Sequence, residues 1–136
     1  MNARQLARLR QQLTERLGEL DRILAPAFER EPLFPASIQI SRHRCGRPNC
    51  RCATEGLLHE STRLRIRFKD GDATRCLKED EVEKWRPRTD AYKRMRDAQR
   101  SFRSWSEEVS RLLDRVERAR RSSAGLSPED RERELR

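Results

Sequence analysis

Apolar side chains are scarce in this 136-residue chain. They make up 34% of it and aromatics only 5%, whereas 40% of residues are charged. That composition excludes one large globular core, so the apolar residues must gather on helix stripes or around a staple. No apolar run approaches the ~20 residues of a membrane span. The opening Met1-Asn2-Ala3-Arg4-Gln5 has no apolar signal-peptide core, so a cytoplasmic protein is expected. A Gly-rich phosphate loop, a His-Glu-x-x-His pair, a nucleophile beside a base and paired carboxylates in an apolar setting are all missing, and no enzyme or small-molecule substrate is expected. Trp85, Tyr92 and Trp105 are too few to make stacking on single-stranded bases the main binding mode.

Lysine is nearly missing as well. Lys69, Lys78, Lys84 and Lys93 are the four lysines among 32 basic residues, so 28 are arginine and the net charge is +9. Arginine makes planar, bidentate contacts to phosphate and carboxylate, and a basic chain gains affinity for nucleic acid by counterion release. DNA is the expected partner.

Four cysteines are present, and three of them fall in Cys45-Gly46-Arg47-Pro48-Asn49-Cys50-Arg51-Cys52, with His59 seven residues further on. Thiolates with one imidazole are a usual structural ligand set for zinc. Gly46 and Pro48 suit the tight turn that converging sulfurs require. In a reducing compartment clustered cysteines are metal ligands rather than disulfides. Cys45, Cys50, Cys52 and His59 are therefore the expected ligands of a structural Zn2+. His43 and Cys76 compete with His59 for the fourth place, Cys76 otherwise being a core-facing strand residue. Reactive thiols beside arginine are the alternative chemistry.

The apolar residues follow two periods. Leu6, Leu13 and Leu20 fall seven apart at a positions with Leu9 and Ile23 at d, and Leu17 and Leu24 widen the stripe, which predicts an amphipathic helix ended by Pro26. Met95, Phe102, Val109 and Val116 form one heptad row and Ala98, Trp105, Leu112 and Ala119 the next. Between the helices, residues 37–41 read as a short strand. Residues 63–68 and 73–77 read as a hairpin turning at Asp70-Gly71, with Leu64, Ile66 and Phe68 inward. Pro87 should break or kink the second helix, with Thr89 or Asp90 capping the restart, and Ser127 should cap a short tail helix at Pro128.

The expected fold is thus mainly α with a small β-hairpin: an antiparallel helical hairpin or coiled coil carrying a zinc-stapled β-hairpin module. Its segments are helix 1–25, Pro-containing linker 26–36, knuckle and hairpin 37–78, kinked helix 79–121 and polar tail 122–136. The wide first stripe makes a homodimer the expected assembly.

Residues 37–77 carry nine basic and four acidic side chains and are the most densely basic part. Arg63, Arg65 and Arg67 should project from one strand face about 6.6–6.8 Å apart, comparable to the spacing of phosphates along one strand. Arg42, Arg44, Arg47 and Arg51 should add to that patch.

Across residues 43–113 the chain resembles a family of small bacterial proteins of unknown function. Their common core is a CGxxxCxC knuckle, a Leu-His step, a basic hairpin with a Gly turn, and a long charged helix. The matching stretches are Cys45–Ala53, Leu57-Leu58-His59, Phe68-Lys69-Asp70-Gly71 and Leu77–Val82. After the histidine the family has a Gly-Pro-aromatic step, whereas this chain has Glu60-Ser61-Thr62. Genes of that family often lie beside transposases or site-specific recombinases of mobile elements. The resemblance implies a DNA-binding accessory role in such a recombinase or transposase complex. The rival expectation is a coiled-coil protein–protein adaptor whose basic face binds no nucleic acid.

Overall fold

The fold was read from a computed structural model, which describes residues 3–123, 125 and 128–135. It is mainly helical with a small antiparallel sheet. The elements are α1 (Ala3–Leu24), β1 (Ala36–His43), α2 (Arg51–Thr54), β2 (His59–Phe68), β3 (Gly71–Cys76), α3 (Glu79–Ser123) and α4 (Pro128–Glu134). None of these helices is long and apolar enough to cross a membrane. Ser127, expected to cap α4, lies outside the described residues.

The chain forms two compact units, Phe28–Arg96 and the pair of segments Met1–Ala27 with Asp97–Arg136. In the second unit the heptad pattern marks what is buried. Leu9 of α1 (2% exposed) clusters with Leu112 and Ala119 of α3, and Leu6, Leu13 and Val116 pack against them. The Trp105 indole Nε1–H donates to the Arg16 carbonyl (2.7 Å), and the Arg16 guanidinium meets Glu108 (3.0 Å). An indole needs such a partner when its ring is half-buried.

The first unit is built on three strands in the order β1-β2-β3, not on a two-stranded hairpin. The strand expected at 37–41 runs from Ala36 to His43 and pairs along its whole length with β2, from Ala36↔Ile66 to His43↔His59. An isolated two-stranded hairpin is marginal in water, and the third strand supplies the missing pairing. The reversal falls one residue earlier than expected. Phe68 pairs with Gly71, so Lys69-Asp70 are the turn residues, and Gly71 takes φ +140°, open to glycine alone.

Alternation gives the sheet two faces. Ala36, Leu64 and Ile66 share one with Phe68 and Arg75. Leu64 and Ala36 are buried, and Arg75 reaches Glu81 of α3 (2.9 Å), so this side is turned toward the start of α3. Phe34, just before β1, stacks at a tilt on Trp85 (4.8 Å between ring centres) and donates its N–H to the Arg88 carbonyl. Phe68 corrects the expectation for its row. It is 61% exposed, because it closes the turn at the end of the sheet.

Of the two outcomes expected at Pro87, a break is not found. Pro87 does not divide the helix: α3 runs unbroken from Glu79 to Ser123 with Pro87 inside it. Proline removes one N–H and crowds one carbonyl. Here Thr89, rather than capping a new helix, is buried and donates its hydroxyl to the Arg86 carbonyl within the same helix (3.1 Å). The linker opens with a 3-10 turn at residues 25–28.

Candidate metal centre

The knuckle is assembled by local backbone needs. β1 ends at His43 and the chain turns at Gly46, which has φ +81°, a left-handed conformation that favours glycine. The Cys50 N–H then donates to the Arg47 carbonyl (3.3 Å), which closes the turn over Pro48 and Asn49. Cys50 opens α2 in extended conformation, and its carbonyl accepts the N–H groups of Ala53 and Thr54 and the Thr54 hydroxyl. The one-turn helix sends Cys52 inward, where it is buried. β2 begins at His59 and returns the imidazole to the same place.

The donor atoms of Cys45, Cys50, Cys52 and His59 all lie within 4.8 Å of one another. The Cys45 and Cys52 sulfurs are 3.6 Å apart, and the Cys50 sulfur is 3.1 Å from His59 Nε2. Ligands at about 2.3 Å (sulfur) and 2.0 Å (nitrogen) from a tetrahedral zinc are separated by roughly 3.5–3.8 Å, which lies inside the 3.1 to 4.8 Å over which these atoms are spread, so the group is compatible with a metal ion such as zinc. The Cys45 N–H points at the Cys52 sulfur (3.5 Å), a second-layer contact of the kind that orients ligands.

The three thiols differ electrostatically. The Cys50 thiol is lowered from the ordinary range, first by the Cys52 backbone N–H and then by His59. Cys52 is lowered first by the Cys45 backbone N–H. For Cys45 the Arg47 backbone N–H favours the thiolate, but lost solvation and the neighbouring Cys52 and Cys50 sulfurs outweigh it and push the thiol up. A divalent cation is the charge that would let all three ionise together.

The two other candidates for the fourth ligand stand apart from the donor group. Cys76 is exposed and pairs across the sheet with Arg63, which also corrects the expectation that it packs into the core: all of β3 is an exposed edge strand. His43 lies directly opposite His59, with ring centres 6.0 Å apart. Its Nδ1 is buried with no hydrogen-bond partner among the described residues. Nothing in the sequence signals that orphan nitrogen, because it arises from the β1–β2 register.

The expected arginine patch is brought together only in part. Register places Arg63, Arg65 and Arg67 on one sheet face with Ser37, Gln39, Thr74 and Asp72, and this face is entirely polar. Arg65 pairs with Asp72 and Arg63 donates to the Ser61 hydroxyl (3.4 Å). Arg42 falls on the opposite face, where it pairs with Glu60 (3.0 Å). The patch therefore loses Arg42, because strand alternation carries every even-numbered residue of β1 to the Leu64 side. Arg44, Arg47, Arg51 and Arg67 are exposed and make no ion pair among the described residues. An open cleft of about 630 Å³ beside the sheet is lined by Glu60, Glu79 and Glu83 and by no basic residue, so it would repel phosphate.

No family model matches this chain, no curated protein matches its sequence, and no solved structure matches its fold.

Proposed function

We propose that this chain is a small zinc-stapled DNA-binding protein that assists a recombinase or transposase complex. Its zinc is structural: three thiolates and an imidazole fill a tetrahedral site and leave no position for a reacting water. The cytoplasm, being reducing, keeps the thiols as ligands. The helices form an antiparallel coiled-coil pair. This is supported by the sequence order of the contacts, in which Arg16 meets residues 105 and 108 while Leu9 meets residues 112 and 119. The class of partner enzyme comes from the resemblance of residues 43–113 to the mobile-element family.

One observation carries the DNA reading. The donor cluster sits at the end of a polar sheet face that displays Arg63 and Arg67, beside the unpaired Arg44, Arg47 and Arg51. Bound zinc would fix Arg44, Arg47 and Arg51, which lie in or beside the knuckle, while the β-pairing of β2 holds Arg63 and Arg67. Duplex DNA binding measured from about 50 to 200 mM salt should weaken steeply, with a log–log slope of about −0.9 per neutralised phosphate. Arg63→Gln with Arg67→Gln should reduce that slope by about two. Unchanged binding in this double variant would remove the sheet face from the interface.

The adaptor reading is favoured by a different observation, the internal neutralisation of Arg42 by Glu60 and of Arg65 by Asp72. It expects partner capture that survives nuclease and high salt.

A further inference from the structure

The two-helix unit leaves much of its apolar surface outside its own core. Leu17 is 59% exposed, Leu113 53% and Phe102 40%, while among the described residues of the unit the large side chains that are buried are Leu9 and Leu112. Heptad geometry explains where this surface lies. Leu9 and Leu112 occupy d positions. Around an α-helix the a and e positions lie about 60° and 100° from d in one rotational sense. In an antiparallel pair one helix runs toward a viewer and the other away, and they face each other across d. The same rotation therefore carries the a and e rows of both helices to a single side of the pair. Leu13, Leu17 and Leu20 of α1 come to lie beside Phe102, Val109 and Leu113 of α3.

We infer that this a/e face is the dimer interface between two copies of the chain, which together make a four-helix bundle. The inference rests on the antiparallel pairing proposed above. Three features of the face select a second copy. From Leu6 to Leu24 it is about 27 Å long, and two helices make it roughly 18 Å wide. Interdigitated side chains over such an area bury on the order of 800 Å² per copy, which is what a stable interface requires. The charges in its a and e rows, Arg10 on α1 and Arg120 on α3, both fall at the end where α1 begins and α3 finishes. The rest of the face offers nothing to an acidic or phosphate-bearing partner. Large leucines line the α1 side, whereas Ser106 and Val109 make the middle of the α3 side small. A two-fold axis along the bundle lays each α1 over the partner's α3, large over small, with every neighbour antiparallel.

Sedimentation equilibrium of the full chain from below 1 µM to about 100 µM tests this. The wild type should sediment at twice its 16.2 kDa mass. Leu17→Glu and Leu113→Glu should each weaken dimerisation by about 100-fold or more, since each buries an unpaired charge at the interface. Both positions are exposed in the single chain, so helicity by circular dichroism should hold. A helical wild type that stays monomeric at 100 µM overturns the proposal and assigns the face to α4 or to another protein. A dimer indifferent to both substitutions overturns it as well. The pairing itself is checked separately. Gln12 and Glu108 line one groove between α1 and α3. A zero-length carbodiimide cross-link between Gln12→Lys and Glu108, in mixed ¹⁵N-labelled and unlabelled protein, should join residues of the same isotope. No link, or links only between isotopes, would defeat the two-helix reading whatever the mass.

Discussion

The two units of this chain are held by opposite means. In Phe28–Arg96 the buried residues are few and mostly small: Ala36, Cys52, Leu64, Thr89 and Ala91. That unit brings four donor side chains close together at one point, and the metal proposed for them would be its staple. Among the described residues the other unit has no such donor cluster, and what it buries is Leu9, Leu112 and Ala119, spaced along apolar stripes of two helices. A point can be removed in one stroke, whereas a stripe weakens in proportion to what is cut from it.

Metal removal should therefore have the largest effect. A structural zinc contributes on the order of 10 kcal/mol of apparent binding free energy to a small fold. Chelation, or Cys52→Ser, should release one metal per chain and collapse amide hydrogen-exchange protection across β1 and β2. Protection in α1 and in the α3 heptads should persist. Cys76→Ser, outside the donor group, should leave metal content unchanged. Sheet protection that survives chelation would show that β-pairing, and not the metal, holds this unit, and the contrast between the two would dissolve.

Truncation of the stripe comes second. Leu9 is almost fully buried against Leu112 and Ala119, and Leu9→Ala in such a setting costs about 2–4 kcal/mol. Hydrogen exchange in α1 and the second half of α3 should accelerate accordingly, with metal content and β2 protection held at their wild-type values. Loss of metal in Leu9→Ala would mean that the units depend on each other.

The same contrast governs how much the sequence discloses. A heptad stripe is local in sequence, so the apolar rows of α1 are legible there, and the row Ala98, Trp105, Leu112 and Ala119 marks the most protected side of α3. The donor cluster is nearly as local, with all four residues inside fifteen positions. Pairing of β1 with β2 is not local. It depends on a register across the knuckle, and with it came the displacement of Arg42 and the orphan nitrogen of His43. Pro87 leaves the helix unbroken for another reason. Its local rule is sound, yet one lost hydrogen bond is a small part of a 45-residue helix with tertiary contacts at Phe34 and Arg88.

The smallest expected effect lies where the first unit uses neither point nor stripe. Just beyond the 3-10 turn, Glu29 receives a bidentate pair from Arg94 of α3, with Nε at 3.0 Å and Nη2 at 2.9 Å. That hydrogen-bonded guanidinium holds the Glu29 carboxyl below the ordinary range, against a modest opposing loss of solvation. A depressed carboxyl pKa stabilises the fold above the unfolded value of about 4.3, and the contribution is lost as pH falls through the lower folded value. Both side chains are solvent-accessible, so the contribution is screened and ranks below the other two. An NMR titration of the Glu29 side chain should place its midpoint below the ordinary carboxylate range, and Arg94→Gln should return it upward. Arg94→Lys should return it part of the way, because an ammonium keeps the charge but loses the two-pronged geometry. A Glu29 midpoint that ignores both substitutions would mean that this ion pair does not hold the residues after α1 to α3. The first unit would then rest on its donor cluster, its small core and the Phe34 contacts alone.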